Sequence, residues 1–351
     1  MKVAVILFNL GGPDGPEAVE PFLRNLFSDP AIITLPWFAR LPLARWIARR
    51  RAPIARHIYQ QIGGGSPIVA ETQKQARALE EALTGVEAKA FIAMRYWHPF
   101  SDGAAQAVKA FNPDRIVLLP LYPQFSTTTT GSSFEDWDRA AKKAGLNVPT
   151  ARLCCYPDEA GFVAAMASRI RAVASNLRPD LSYRLLLSAH GLPKRIIAKG
   201  DPYQWQVERS AAAIVNKLDI PALEANVCYQ SKVGRLEWIG PATDAEIRRA
   251  GADGKGVIIA PLAFVSEHSE TLVELDIEYA TLAREAGVKD YRRVPTVGTE
   301  PAFMDGLATL VRQALSSQEK GARGMGTTNS AETRICPQEF CRCGFGDRTD
   351  A

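Results

Sequence analysis

The sequence lacks any long apolar run and any strong excess of one sign of charge. No apolar stretch approaches the roughly 18 residues that a membrane-spanning helix needs, and residues 1–8 carry one lysine and then read as a strand. We therefore expect neither a transmembrane segment nor a signal peptide, and a cytoplasmic location. The 42 basic and 38 acidic residues leave a formal charge of +4, which disfavours nucleic-acid binding by the chain as a whole.

Cysteine is scarce, and its spacing does not fit a disulfide scaffold. The six cysteines are the adjacent Cys154 and Cys155, the isolated Cys228, and a terminal group of Cys336, Cys341 and Cys343. Because a cytosolic protein has no oxidising compartment to stabilise disulfides, the terminal group indicates metal ligands. Cys228 lies on a predicted buried strand and is expected in the core.

Short apolar runs rich in β-branched residues alternate with longer helical segments. The 351 residues, 46% of them hydrophobic, have room for about two domains. The predicted strands are Val3–Asn9, Ala88–Tyr96, Arg115–Leu121, Arg184–Ala189, Ala225–Tyr229 and Val257–Ala263. The predicted helices between them include Glu71–Leu83, Gly103–Ala110, Phe162–Asn176, Gln206–Leu218 and Glu270–Ala286. This alternation predicts an α/β fold with mainly parallel sheets.

The two halves of the chain look alike at matching places. Residues 116–122 and 257–263 are both buried strands with a proline near the end, and residues 8–13 and 188–193 both run from a strand into a turn with glycine and proline. We interpret this as a duplication that gives two similar Rossmann-like domains, each a doubly wound parallel sheet. The predicted division is 1–160, 161–318, and a linker with a cysteine-rich tail at 319–351. Ligands of such folds bind at the carboxyl ends of the strands.

One such end carries a histidine. His190 follows the apolar run 185–187, and Gly191 and Pro193 then turn the chain away. A histidine in this place can exchange a proton near neutral pH or bind a metal. A purely structural histidine is the alternative.

A row of glutamates follows the predicted strand 257–263, the second-half counterpart of residues 116–122. Glu270, Glu274 and Glu278 recur every four residues on a predicted helix and therefore form one stripe. Such a stripe is typical of a path for divalent cations or protons, or of a plain solvated helix face.

The first half offers residues for a large, flat ligand. Gly63–Gly65 matches neither the dinucleotide fingerprint nor the P-loop, so no nucleotide is expected. Aromatic rings, hydroxyl groups and one arginine at strand ends fit an apolar ring system with carboxylate arms. These residues are Tyr59, Arg95, Tyr122 and Ser126.

Residues 35–51 combine arginine with tryptophan and leucine. From Pro36 to Arg56 inclusive there are six arginines and no acidic residue. This composition favours a peripheral membrane contact, with an ordinary packing helix as the alternative. Nucleic-acid binding is disfavoured because the prolines are expected to break any long basic helix.

Several motifs, in the same order, resemble the ferrochelatase family. They are Leu7–Pro13, Phe22–Pro30, Ile62–Pro67, Arg95-Tyr96, Tyr122–Gln124, Leu187–Pro193, Gln230–Gly234, Trp238 and Ser266–Tyr279. Together they span nearly all of residues 1–315. The resemblance implies two Rossmann-like domains around a porphyrin cleft and insertion of Fe²⁺ into protoporphyrin IX with release of two protons, the last step of haem synthesis.

The resemblance also assigns roles to residues. His190 and Glu270 match the family's proton-abstraction and metal-site pair, and Glu274 and Glu278 match its acidic ridge. Tyr59, Arg95 and Tyr122, with Ser126 in the same loop as Tyr122, would bind or position the porphyrin. His268 and Glu267 would shape the far wall of the site.

Some ferrochelatases carry a C-terminal [2Fe-2S] cluster, which needs four cysteine ligands. Cys336, Cys341 and Cys343 would supply three of them, and Cys154 or Cys155 would supply the fourth. Zinc in the same thiolates is the alternative.

Two other functions stay open at this point. One is insertion of iron into coproporphyrin III, because the site residues would be shared. The other is a non-catalytic tetrapyrrole carrier, which would need neither His190 nor Glu270.

Overall fold

The computed structural model describes residues 1–220, 223–234, 236–319, 325–327 and 334–344. The chain forms two compact units. The first comprises Met1–Cys155, Leu307–Ile335 and Gly344–Ala351, and the second comprises Tyr156–Gly306 and Cys336–Cys343. The division at 1–160, 161–318 and 319–351 stays a prediction, and much of its linker lies outside the described residues.

The first unit is built on a parallel sheet with strand order β2-β1-β3-β4-β9. Its strands are β1 (Lys2–Asn9), β2 (Glu87–Met94), β3 (Arg115–Pro120), β4 (Thr150–Cys155) and β9 (Met325–Thr327). Residues 3–8 of β1 are buried. This burial explains their continuous apolar pattern, since a central strand of a parallel sheet is covered on both faces.

Helices connect and cover these strands. They are α1 (Val19–Ser28), α2 (Trp37–Gln60), α3 (Ile68–Ala82), α4 (Ser101–Phe111) and α5 (Ser132–Ala144), with a 3₁₀ turn at Pro16–Ala18 and a π-helical turn at Thr127–Gly131. The main core cluster of this unit lies under α4 and α5 and includes Phe8, Leu118 and Trp137.

The second unit repeats the same plan. Its parallel sheet has the order β6-β5-β7-β8, with strands β5 (Tyr183–His190), β6 (Glu224–Gln230), β7 (Gly256–Pro261) and β8 (Tyr291–Arg293). Its helical elements are α6 (Ala160–Ala174), α7 (Lys194–Ile197), α8 (Tyr203–Leu218), α9 (Thr243–Ala252), a π-helix (Glu270–Glu278) and α10 (Tyr279–Glu285), and α11 (Pro301–Glu319) continues into the first unit.

The two strand orders correspond one to one, β2-β1-β3-β4 with β6-β5-β7-β8. The segments paired in the sequence, at the ends of β1 and β5 and along β3 and β7, hold equivalent places. The predicted α/β class with two similar, doubly wound parallel sheets is therefore confirmed.

The expectation that proline breaks the basic segment is wrong. Helix α2 runs unbroken for 24 residues and contains Pro42 and Pro53. An interior proline costs about 3 kcal/mol through its missing N–H and its ring. Buried Ala44, Ala48 and Ala52, four residues apart, give α2 a small face that packs against α1 and offsets this cost.

Candidate active site

His190 is the last residue of β5. The chain turns immediately after it, and position 191 is tight for a side chain. A Cβ at Gly191 would lie 3.0 Å from the carbonyl oxygen of Gln230 and 3.1 Å from the ring of Trp238. Glycine therefore suits the turn that leaves the imidazole at the edge of the sheet.

Glu270 reaches the same edge from the neighbouring strand. Strands β5 and β7 are adjacent, with Ser188 opposite Pro261, and residues 262–269 lead from β7 to the π-helix that starts at Glu270. Because carboxyl ends of parallel strands meet at one edge, residues 80 positions apart come into contact.

The contact between them is a hydrogen bond. The distance from His190 Nδ1 to Glu270 Oε2 is 2.8 Å, and a carboxylate can only accept, so Nδ1 carries the proton. In the neutral imidazole, Nε2 is then the basic nitrogen. Tyr203 fixes the backbone beside it, because its hydroxyl donates to the carbonyl oxygen of His190 at 3.0 Å.

The pair shifts the protonation of both groups. Burial by itself lowers the pKa of His190, but the carboxylates of Glu270 and, farther away, Glu274 outweigh it and raise the pKa above its ordinary value. Burial opposes ionisation of Glu270, yet His190, and to a lesser degree His268, lower its pKa to about 2. Glu270 is therefore ionised across the whole range in which His190 titrates.

Glu274 is held by a set of donors. Its carboxylate accepts hydrogen bonds from Gln230 Nε2 at 3.0 Å, the Ser231 amide at 2.8 Å, the Ser231 hydroxyl at 2.5 Å and the Tyr279 hydroxyl at 3.0 Å. Ser231 adopts a positive φ of 64° to present both groups, a conformation that costs free energy in a residue other than glycine. Sequence reasoning did not identify these donors, since the pattern of the chain does not show which polar groups converge.

Gln230 joins the two glutamates. It is buried, donates also to the backbone carbonyl of Glu270 at 3.0 Å, and accepts from the Ser188 hydroxyl at 2.8 Å. Farther along the π-helix, Glu278 is largely exposed. The partial burial of its carboxyl group and then the charge of Glu274 raise its pKa. The stripe therefore runs from a half-buried ion pair to solvent.

His268 is buried beside the pair. Its Nδ1 lies 3.0 Å from the carbonyl oxygen of Ser266, and its Nε2 lies 3.9 Å from Glu270 Oε2. Its ring packs 4.7 Å from that of Phe264. The adjacent Glu267 points the other way, to Arg293, at 2.6 Å.

His190 and Glu270 form a pair and not a complete set of metal ligands. Across the described ranges, no group of three or more His, Cys, Asp or Glu side chains is placed to hold a metal ion. His190 and Glu270 are two donors of a type that suits a divalent transition metal.

The predicted residues of the first unit lie in separate settings. Tyr59 is buried in the cluster that joins α1 and α2. Ser126 is buried and caps the π-helical turn at Thr127–Gly131, because its hydroxyl accepts from the Thr128 amide at 3.1 Å. Burial, only partly offset by Ser133 and Arg95, raises the pKa of Tyr122, so its phenol is neutral.

Arg95 already has a carboxylate partner, which the sequence did not reveal. Its Nη2 lies 2.8 Å from Asp29 Oδ2, and its Nε donates to the Ser132 hydroxyl at 2.6 Å. Asp29 also accepts from the hydroxyls of Tyr96 and Ser132. This network holds the guanidinium in one orientation with 19% of its side chain exposed.

The cysteines divide between the units. Cys154 and Cys155 are buried at the end of β4 in the first unit. Cys336 and Cys343 are buried in the second, where Gln206 Nε2 donates to Cys336 Sγ at 3.0 Å, whereas Cys341 is exposed. Cys228 is buried in the core cluster of the second unit.

Comparison with known proteins gives a consistent family. A model described as Ferrochelatase matches residues 2–315. A ferrochelatase of Caulobacter vibrioides is 55% identical over 346 residues, 97% of each chain, and one of Phenylobacterium zucineum is 52% identical over 348 residues, 98% of each chain. SirB from Bacillus subtilis with Fe³⁺ aligns with a TM-score of 0.54 and 16% identity over 91% of this chain and 98% of that one, a similarity in fold alone.

We predict that His190 titrates above the ordinary range of histidine and that Glu270→Gln lowers its pKa, because the neutral amide no longer stabilises the imidazolium. The chain has only four histidines, so an NMR titration of the imidazole signals resolves each one. Exposed His57 serves as the internal control. Equal pKa values for His190 in wild type and Glu270→Gln would contradict the pairing.

Proposed function

The chain belongs to the ferrochelatase family, and from this premise we propose that it inserts Fe²⁺ into protoporphyrin IX, with His190 as the proton acceptor. The observation that carries the assignment of roles is the 2.8 Å hydrogen bond between His190 and Glu270 at the shared edge of β5 and β7. A non-catalytic carrier would have no use for a base held by a carboxylate.

The chemistry sets two requirements. The porphyrin loses two pyrrole protons while a doubly charged ion enters, so the site needs a base and a route for protons. His190 Nε2 is the base, because Nδ1 is committed to Glu270, and the Glu270 carboxylate stabilises the imidazolium that forms. The same carboxylate attracts Fe²⁺, the metal substrate.

One imidazole holds one proton, so the first proton must leave before the second is accepted. Glu270, Glu274 and Glu278 lead from His190 toward solvent. Glu274 is held in place by its four donors, whereas Glu278 has a raised pKa. We assign Glu278 as the group that passes protons to water, and Glu274 as a fixed charge that favours their movement along the stripe.

Tyr59, Arg95, Tyr122, Ser126 and His268 would bind or shape the porphyrin. Arg95, oriented by Asp29, offers a positive charge to a propionate, and neutral Tyr122 offers an aromatic face or a hydroxyl. The start of α2 is apolar and exposed, which suits contact with a membrane. A substrate delivered from a membrane is expected to be protoporphyrin and not the more acidic coproporphyrin III.

We predict that purified protein, mixed anaerobically with Fe²⁺, consumes protoporphyrin IX faster than coproporphyrin III, followed by loss of the free-base absorbance. His190→Ala should lower the rate at least about 100-fold, the usual effect of removing a general base. His57→Ala, an exposed histidine of α2, is the matched control. Preference for coproporphyrin III would overturn the substrate, and full activity of His190→Ala would overturn the base.

As a second part of the proposal, we infer that Cys336, Cys341, Cys343 and Cys154 would hold a [2Fe-2S] cluster, although the described residues do not place these thiols together as a metal-binding group. Four thiolates are the ligand set of such a cluster, and the thiol of Cys336 already accepts a hydrogen bond from an amide. We prefer Cys154 to Cys155 because Gly344, which follows Cys343 in the chain, lies against Cys154. A Cβ at Gly344 would be 3.0 Å from Cys154 Sγ. The cluster has no part in metal insertion, which transfers no electrons.

The cluster predicts about two iron and two sulfide ions per chain in anaerobically purified protein, with visible absorption and an EPR signal after reduction. Cys154→Ser should lose these signals, whereas Cys155→Ser should keep them. Zinc without sulfide would replace the cluster by a zinc site. Loss in Cys155→Ser alone would move the fourth ligand to the neighbouring residue.

Peripheral membrane contact through residues 35–51 is the third part, with the protein at the cytoplasmic face of the cell membrane. In the described part of the chain, no helix is long and apolar enough to cross a membrane. At the start of α2, however, Trp37 is 69% and Phe38 is 64% exposed. Arg50 stacks 5.2 Å from the ring of Trp46, as basic residues do among aromatic ones at an interface.

Vesicles containing anionic lipid should therefore bind the protein in a sedimentation assay, and Trp37→Ser with Phe38→Ser should weaken binding at least about tenfold, since each side chain loses more than about 1.5 kcal/mol of apolar burial. Ile54→Ser, an exposed apolar residue of the same helix but outside residues 35–51, should bind as wild type does. Equal binding by all three proteins would refute the contact.

A further inference from the structure

Strand β8 is three residues long and lies at the edge of the second sheet, next to β7. Successive side chains of a strand point to opposite faces, so Tyr291 and Arg293 share a face and Arg292 points away from it. Both side chains on the shared face contact the π-helix. The Tyr291 hydroxyl donates to the carbonyl oxygen of Leu275 at 2.7 Å, and Arg293 binds Asp276.

The guanidinium of Arg293 makes three charged contacts. Its Nε and Nη2 each lie 2.7 Å from one oxygen of the Asp276 carboxylate, the two-pronged geometry that makes arginine pairs directional. Its Nη1 donates to Glu267 Oε1 at 2.6 Å. The Arg293 side chain is only 14% exposed, so solvent screens these contacts weakly.

The two carboxylates bracket the reactive segment. Glu267 lies in the loop before the π-helix, three residues ahead of Glu270, and Asp276 lies in its second half. The same oxygen, Glu267 Oε1, also accepts a hydrogen bond from the Thr296 amide at 2.9 Å. One side chain outside the segment therefore ties together the backbone on either side of Glu270 and Glu274.

The segment has physical need of such a tie. A π-helix of nine residues is unusual, because the wide turn is less favourable than an α-helix and is mostly seen as a single turn. The stripe of Glu270, Glu274 and Glu278 adds repulsion along its length. External contacts must hold the register that keeps Glu270 on His190.

We propose that Arg293 is a positioning residue of metal insertion: by binding Glu267 and Asp276 together, it fixes the π-helix so that the Glu270 carboxylate stays on His190. This inference rests on the proposed function but concerns a residue whose charged contacts are with Glu267 and Asp276 and not with His190 or Glu270.

The experiment compares Arg293→Gln with Arg293→Lys and with Arg292→Gln. Arg292 is the matched control because it lies next in the strand, faces away and pairs with Asp290. We expect kcat to fall about 10- to 100-fold in Arg293→Gln, the scale of a misplaced catalytic group. Arg293→Lys keeps the charge but loses the two-pronged contact with Asp276, so its kcat should lie between those of wild type and Arg293→Gln. The KM for the porphyrin should be unchanged in all variants.

A second readout separates positioning from general stability. The charged groups that act on His190 are Glu270 and Glu274. If Glu270 moves away, the pKa of His190 falls, so its NMR titration should shift to lower pH in Arg293→Gln and not in Arg292→Gln. A merely structural role would lower the melting temperature and leave this titration unchanged.

If Arg293→Gln folds and its kcat and its His190 pKa both equal those of Arg292→Gln, the proposal is overturned. If Arg293→Gln does not fold, Asp276→Asn, which removes the two-pronged contact and keeps the Glu267 pair, decides in the same way. If wild type and Arg292→Gln insert no iron, the proposed function fails by itself, and the His190 titration still tests whether Arg293 positions Glu270.

Discussion

The hydrogen bond between His190 and Glu270 is the interaction on which the site depends. It exists because two adjacent parallel strands, β5 and β7, end at the same edge of the sheet. His190 is the last residue of β5, and Glu270 begins the π-helix that follows β7. Glycine at 191 permits the close turn after His190, and the π-helix presents Glu270 at its first residue. Neither residue could act alone as well, because the carboxylate fixes which imidazole nitrogen is basic and how strongly it holds a proton.

Concentrating negative charge at one edge of a sheet is costly, and much of the surrounding polar structure offsets that cost. Gln230, Ser231 and Tyr279 donate hydrogen bonds to Glu274, and Arg293 forms ion pairs with both Glu267 and Asp276. Buried carboxylates without such partners would take up protons. These hydrogen bonds and ion pairs therefore offset the cost of holding the carboxylates close together, where they attract a cation.

The sequence predicted the parts of this arrangement that follow from local pattern. Apolar runs located six of the strands to within two residues, and the local pattern placed His190 and Glu270 each at the end of a strand. Their pairing came from the family resemblance. Strand β8 was not predicted because its sequence, Tyr-Arg-Arg, contains no apolar run. The unbroken helix α2 escaped because tertiary packing of small alanines outweighs the local effect of proline. The partners of Glu274 and Arg95 escaped because they come from distant parts of the chain, which only the fold brings together.

The most direct test of the central claim is the pH dependence of kcat/KM for iron insertion in wild type and in Glu270→Gln. If neutral His190 is the base, activity rises with pH as its proton leaves, with a midpoint above the ordinary pKa of histidine because Glu270 stabilises the charged form. In Glu270→Gln the midpoint moves to lower pH and the plateau falls. An acid limb with the same midpoint in both proteins would contradict the account.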